Sequence, residues 1–316
     1  MPSFRVSELQ KDIIKTLAYA DIFDFPLKDE EIFKWLISSS NIPLTSFKKT
    51  LKEMTDKGVL DQQGDYYCLP GKEKNLKTRQ ARTKFSQVKL ILAQKAAQKL
   101  SWLPTLKMVG VTGALAMGNC EEDDDIDFIV ITAANRLWFS RMILYLISPV
   151  LGIKRRKPRE KVVKDKICFN LFLDENHLRI NPQNLFLAHE ICQIKPLLNK
   201  DNTYEKFLWE NRWVSNFLPN AKNSLKFKVQ SSKLERKHPI SQSASWRILI
   251  SLLDSLAFAL QYRYMKPKMT SEKVSLHQAF FHPVDLQGKI EEEFEQRLRK
   301  VLTRKAKCFY NSTRNY

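Results

Sequence analysis

A run of carboxylates directly before an apolar segment is the feature that most constrains this chain. Residues 120–131 read CEEDDDIDFIVI. Like charges at this spacing repel one another, and an unpaired carboxylate in a buried strand is costly, so a cation or a solvated turn has to offset them. Because side chains alternate along a strand, Asp125 and Asp127 are predicted to share one face while Ile126 and Phe128 take the other.

The segment before this run, LKMVGVTGALAMGN, reads as a strand, a tight turn at Gly113 and a short helix. Two adjacent carboxylates suit Mg²⁺, which takes one or two protein carboxylates together with substrate oxygens and water. A glycine at the turn lets the backbone approach a polyphosphate. The pattern therefore predicts a metal and phosphate site, and the alternative is a solvated acidic loop that leads into an ordinary strand.

The segments VTGALAMGN and DDDIDFIVI resemble the signature of the nucleotidyltransferase superfamily that includes DNA polymerase beta. The resemblance is specific over Leu106–Thr132 and weaker through about residue 215. It implies transfer of a nucleoside monophosphate from a nucleoside triphosphate, with Asp125 and Asp127 as catalytic ligands of Mg²⁺ or Mn²⁺. The residues that would border the triphosphate are Thr112, Gly113 and Ala114.

Two positions depart from the superfamily pattern. Ala114 stands where the family has a serine, and the third carboxylate is not matched. In KICFNLFLDENHL, alternation places Cys168, Asn170, Phe172 and Asp174 on one face of a strand. Asn170 occupies the expected position of the acid and is the third catalytic candidate, although an amide cannot act as a general base. Asp174, near the strand end, is the other candidate.

A basic segment follows the predicted site. Residues 151–166 hold eight Lys and Arg residues against two acids. If this segment returns past the aspartates, Arg155 and Arg156 are candidates to bind the triphosphate or an RNA or DNA acceptor. The alternative is a mobile charged loop.

The first 71 residues read as three helices and a hairpin with QQGD at its tip, an order that resembles a winged helix. Its third helix carries Lys48, Lys49 and Lys52 as candidate nucleic-acid contacts. Residues 1–70 nevertheless hold nine basic and eleven acidic residues, and this excess of negative charge is unfavourable for binding nucleic-acid phosphates. Packing on a neighbour or dimerisation is the alternative.

The sequence thus predicts an α+β protein in four parts. These are a winged-helix-like domain (1–71), a basic amphipathic linker helix (72–104), a small mixed-sheet nucleotidyltransferase core with flanking helices (105–182) and a helical C-terminal region (183–316). His277 and His282 lack metal-ligand spacing and are interpreted as structural.

The net charge of +19 suits a polyanionic partner such as a nucleotide, RNA or DNA. The five cysteines show neither CxxC nor Cys/His ligand spacing, and the apolar stretches are interrupted by charges. We therefore expect a cytoplasmic location and no membrane partner. A protein partner or homo-oligomer remains open.

DIFDFPL before the core, with FLWENRWVSNFLPN and SLHQAFFHP after it, resembles bacterial nucleotidyltransferase-domain proteins of unassigned substrate. Three hypotheses follow. The chain is a metal-dependent nucleotidyltransferase, or a catalytically weakened nucleotide sensor that binds DNA through its winged helix, or a protein-assembly module.

Overall fold

The computed structural model describes residues 7–158, 160–224, 244–281 and 286–312. The N-terminal unit contains three helices and a small antiparallel sheet in the order β1-β3-β2. Its elements are α1 (Glu8–Asp21), β1 (Leu27–Lys28), α2 (Asp29–Lys34), α3 (Leu44–Asp56), β2 (Asp61–Gln63) and β3 (Tyr66–Cys68). The helices and the hairpin predicted here are confirmed, and they enclose a small core that includes Ile13, Leu17 and Phe47.

A mixed six-stranded sheet forms the centre of the protein, in the order β7-β4-β5-β6-β9-β8. Among the strands of the described residues, β5 and β6 pair in parallel, and the other neighbours in this sheet are antiparallel. The strands are β4 (Leu106–Val111), β5 (Ile126–Thr132), β6 (Ile167–Asp174), β7 (Lys195–Asn199), β8 (Lys273–Val274) and β9 (Gln278–Phe280). With the helices around it, this sheet confirms the α+β class.

Helices cover both faces of the sheet. They are α4 (Asn75–Leu100), α5 (Gly113–Met117), α6 (Leu137–Val150), α7 (Leu185–Gln193), α8 (Thr203–Glu210), a 3-10 helix (Arg212–Asn216), α9 (Pro219–Ser224), α10 (Ala244–Met265) and α11 (Leu286–Ser312). Phe128 and Val130 pack toward α4, α6 and α10. Ile129 and Ile131 pack toward α7 and α8 on the other face. The apolar run IDFIVIT is therefore a strand buried on both sides.

The region after residue 182 is not purely helical. It contributes β7 to one side of the sheet, and β8 and β9 to the other side. These strands have two to five residues, too short for alternation to separate them from loop. Apolar residues at helical spacing predict helices over residues 184–195, 204–217, 244–264 and 286–307. The structure has α7, α8, α10 and α11 at these places, but α8 ends at Glu210 and the 3-10 helix follows it.

The long helix α4 is confirmed, but its apolar face, which helical spacing predicts at Phe85, Val88, Ile91, Leu92 and Ala96, is partly wrong. Val88 and Ile91 are 59% and 52% exposed, whereas Lys89 is buried at 1%. Small residues such as Ala93 and Ala97 allow α4 to lie close to the sheet, and Lys89 finds partners in the acidic loop. Which residues of α4 are buried therefore depends on how closely the helix lies against the sheet and on the polar partners of Lys89, and not on the hydrophobicity of each residue.

No helix within the described residues is long and apolar enough to span a membrane. The apolar helices α6 and α10 carry Arg141 and Asp254, which are both buried inside the protein.

Candidate functional site

Asp127 lies in β5, on the sheet face toward α7, and lines a large cavity. Asp125, one residue before the strand, is its neighbour, and Cys168 lies directly opposite Asp127 in β6. One potential ligand atom from each of these three residues lies within 4.8 Å of the other two. The predicted juxtaposition of the two aspartates is therefore present in the structure.

The third position differs from the prediction. The pairing of β5 with β6 shifts register between Phe128 and Ile129, and Asn170 is the unmatched residue. This bulge breaks the alternation, so Phe172 packs on the same face of the sheet as Ile167 and Phe169, and not on the face of Cys168. Asn170 still lines the cavity. Asp174 does not belong to the site, because it groups with two histidines at the other end of β6.

Burial and the negative charge of Asp125 raise the pKa of Asp127 to about 7. Burial also raises the pKa of the Cys168 thiol, which donates a hydrogen bond to Asp127. The thiol is thus protonated, and the atoms available to ligate a metal ion are carboxylate oxygens. This set fits a hard cation such as Mg²⁺ or Mn²⁺, whose charge would offset the repulsion between the two aspartates.

The turn before α5 faces Asp127. Gly113 has a positive φ of +58°, and a Cβ at this residue would lie 3.5 Å from Oδ2 of Asp127. The Thr112 N–H donates to the carbonyl of Asp127 at 3.1 Å, which fixes the turn to β5. Gly113 and Ala114 line the cavity. Thr112 does not line it, and its backbone N–H forms the hydrogen bond to β5.

Glu190 of α7 brings a third carboxylate to the cavity. It accepts a hydrogen bond from the Gly113 N–H, and burial raises its pKa to about 7. Its charge also contributes to the raised pKa of Asp127. A carboxylate from a helix therefore lines the same cavity as Asp127.

The two candidate arginines have different surroundings. Arg156 lines the cavity and donates from Nη1 to Oδ2 of Asp125 at 2.8 Å. The guanidinium of Arg155 instead stacks on the ring of Tyr145, with its carbon 3.7 Å from the ring centroid. The basic segment does return past the aspartates, and it places Arg156 there; its Arg159 lies outside the described residues.

The cavity has a volume of about 1190 Å³ and is lined by residues of the N-terminal unit, the central sheet region and the C-terminal region. Its polar end holds Asp127, Arg156, Asn170 and Glu190. Aromatic side chains form much of the remaining wall: Tyr19, Phe23, Phe25, Trp35, Tyr145 and Tyr264. The N-terminal unit thus contributes directly to the site.

The candidate nucleic-acid contacts Lys48, Lys49 and Lys52 are exposed on α3 and do not line this cavity. Lys52 pairs with Asp56 at 2.7 Å, and Lys48 lies 3.9 Å from Asp29. Acidic neighbours therefore reduce the positive charge of this face.

Sequence reasoning missed Glu190 and Lys89. Glu190 stands in the apolar segment LFLAHEICQ, where an acid on a buried helix is a signal for a partner or a site. Lys89 gave no such signal, because it is one of nine basic residues in 72–100.

Neither a family model, nor a curated protein, nor a solved structure matches this chain.

Glu190→Gln is expected to raise the free energy of unfolding at pH 8 in metal-free buffer. The folded-state pKa of about 7 lies above the ordinary glutamate value, so the ionised carboxylate costs stability above pH 7, and this cost disappears as the pH falls toward 4.5. We expect a gain of about 1–2 kcal/mol at pH 8 and close to none at pH 4.5, after allowance for solvent in the cavity. Urea unfolding measures both values.

Glu210→Gln, on the exposed end of α8, is the matched control and should leave stability unchanged at both pH values. An equal effect of Glu190→Gln at pH 4.5 and pH 8 would contradict an ionised carboxylate as the cause.

Proposed function

We propose that this chain is a metal-dependent nucleotidyltransferase that moves a nucleoside monophosphate from a nucleoside triphosphate to an acceptor. The observation that carries the proposal is the position of Asp127, which lies beside Asp125 and the Gly113 turn and lines a large cavity. The sequence resemblance over Leu106–Thr132 agrees with this arrangement.

Each polar residue has a role in the proposed reaction. Asp125 and Asp127 would hold Mg²⁺ or Mn²⁺, which when bound neutralises phosphate oxygens and polarises the acceptor hydroxyl. Arg156 orients Asp125 and offers further donors to phosphate. The acceptor oxygen forms a bond to the α-phosphorus. The bond between the α-phosphorus and the oxygen that links it to the β-phosphorus breaks, and pyrophosphate leaves.

Glu190 is the proposed proton acceptor. Its pKa of about 7 suits a general base near neutral pH, since the group is ionised in part and retains basicity. Asn170 lines the same cavity, but its amide cannot accept the proton of the acceptor hydroxyl. We therefore assign to Glu190 the function that the sequence resemblance would have placed on β6.

The shape of the cavity favours a small acceptor. Its volume of about 1190 Å³ has room for a nucleotide and a second small molecule, and its aromatic wall suits a planar or apolar body that carries a hydroxyl.

The second candidate is a nucleotide sensor that contacts DNA through Lys48, Lys49 and Lys52, whose side chains are exposed on α3. The two candidates differ in turnover. A sensor binds nucleotide without transferring it.

The test uses the full chain with nucleoside triphosphates labelled at the α-phosphate, Mg²⁺ or Mn²⁺, and a small-metabolite extract, with RNA and protein extracts in parallel. We expect metal-dependent binding of a triphosphate and label transfer to a small molecule, both lost with EDTA. Binding without transfer would support the sensor. Absence of triphosphate binding with either metal would overturn both.

A further inference from the structure

Three side chains meet at the end of β6 that is remote from the aspartate pair. Asp174 is the last residue of the strand, His177 lies in the turn that follows, and His277 precedes β9. His177 and His277 are one hundred positions apart, so no local spacing reveals them as partners. One potential ligand atom from each of the three lies within 4.8 Å of the other two.

The distances are those of metal ligands rather than hydrogen bonds. Nδ1 of His177 lies 3.6 Å from Oδ1 of Asp174, and Nδ1 of His277 lies 4.0 Å from Oδ2. Both are too long for a hydrogen bond. Two ligands about 2.0–2.1 Å from a tetrahedral ion are roughly 3.4 Å apart, so a small contraction brings these atoms to bonding positions.

Nδ1 of His277 is buried and has no hydrogen-bond partner among the described residues. A buried polar atom without a partner is costly, and a cation between it and the carboxylate would remove that cost.

The surroundings of Asp174 match those of a ligating carboxylate. Asp174 is 1% exposed, and its two oxygens accept hydrogen bonds from the backbone N–H groups of Asn176 at 2.8 Å and Asn135 at 2.5 Å. Such support fixes a ligand, and each oxygen keeps a second lone pair. The backbone also fixes both histidines, since the Asp174 N–H donates to the His277 carbonyl and the His177 N–H donates to the Asp174 carbonyl.

The imidazole rings stack with centroids 3.9 Å apart. Binding one ion requires them to tilt toward each other, and their side chains have the freedom to do so, with 48% and 38% of their area exposed. The same exposure leaves a fourth position for water.

We propose that Asp174, His177 and His277 form a site for a divalent transition metal such as Zn²⁺, which ties the β8–β9 hairpin to the end of β6. Two imidazoles and one carboxylate suit Zn²⁺, Co²⁺ or Ni²⁺, whereas the carboxylates of Asp125 and Asp127 suit Mg²⁺. The two sites lie about 20 Å apart, given the rise per residue along β6. This site is independent of the proposed transferase activity.

The experiment titrates the metal-free full chain with Co²⁺ and records the visible d–d absorption bands of the four-coordinate ion. We expect one four-coordinate Co²⁺ per chain, displacement of this ion by Zn²⁺, and a higher melting temperature with Zn²⁺. His177→Gln and His277→Gln should each weaken Co²⁺ binding by about 100-fold or more and abolish the thermal shift.

The double variant Asp125→Asn/Asp127→Asn is the control and should bind Co²⁺ at this site as the unmodified chain does. Circular dichroism of the histidine variants separates lost binding from lost folding. The proposal is overturned if the unmodified chain shows no saturable four-coordinate band, if either folded histidine variant retains it, or if a sulfur-to-cobalt charge-transfer band reveals a cysteine ligand.

Discussion

Asp127→Asn is expected to lower nucleotidyl transfer by about 100-fold or more and, in metal-free buffer at pH 8, to stabilise the protein. The activity falls because an amide brings no charge to hold a divalent cation against the triphosphate. The stability rises because the variant removes a buried carboxylate that Asp125 and Glu190 repel. Opposite effects on activity and stability are the signature of a functional carboxylate.

The sign of the stability effect follows from the pKa. The folded-state pKa of Asp127 is about 7 and lies above the ordinary aspartate value, so the ionised group costs stability above pH 7. We expect a gain of about 1–3 kcal/mol at pH 8 that fades as the pH falls toward 4. Label transfer and urea unfolding with EDTA measure the two effects.

Asp123→Asn is the matched control, because Asp123 lies in the same loop with its side chain 90% exposed. We expect it to leave both transfer and stability unchanged. Equal transfer by the Asp127→Asn variant and the unmodified chain would refute the catalytic assignment. A loss of stability at pH 8 would instead give Asp127 a structural role.

Lys89→Met is expected to destabilise the protein by about 2–4 kcal/mol and to weaken triphosphate binding. The ammonium group of Lys89 donates to the carbonyls of Glu122 at 3.0 Å and Asp124 at 2.7 Å, and to the carboxylate of Asp165 at 2.7 Å. It thereby fixes the loop that leads to Asp125. Methionine has similar length and no donor, so the carbonyls lose their partner and the loop loses its anchor.

Urea unfolding measures the stability of this variant, and titration with a triphosphate and Mg²⁺ measures its binding. Lys95→Met, at an exposed position of the same helix, is the control and should change neither quantity. If Lys89→Met is as stable as the unmodified chain, the loop is held by other contacts.

The sequence by itself indicated the α+β class and the aspartate pair. Side-chain alternation across IDFIVIT and the cost of a buried carboxylate both depend on neighbouring residues alone. Asp125 and Asp127 are two positions apart, so the sequence is enough to place them on one face. Gly113 was recognisable from the sequence as the glycine of a tight turn, and the structure gives it a positive φ of +58°.

Only the tertiary structure decided which residues join that pair. Glu190 reaches the site from α7, and Lys89 reaches the acidic loop from α4. The bulge at Asn170 disrupts the alternation on which the prediction of the third acid depended. His177 and His277 meet because β9 pairs with β6. Contacts between distant segments arise from strand pairing and helix packing, and periodicity along the chain carries no information about which elements become neighbours.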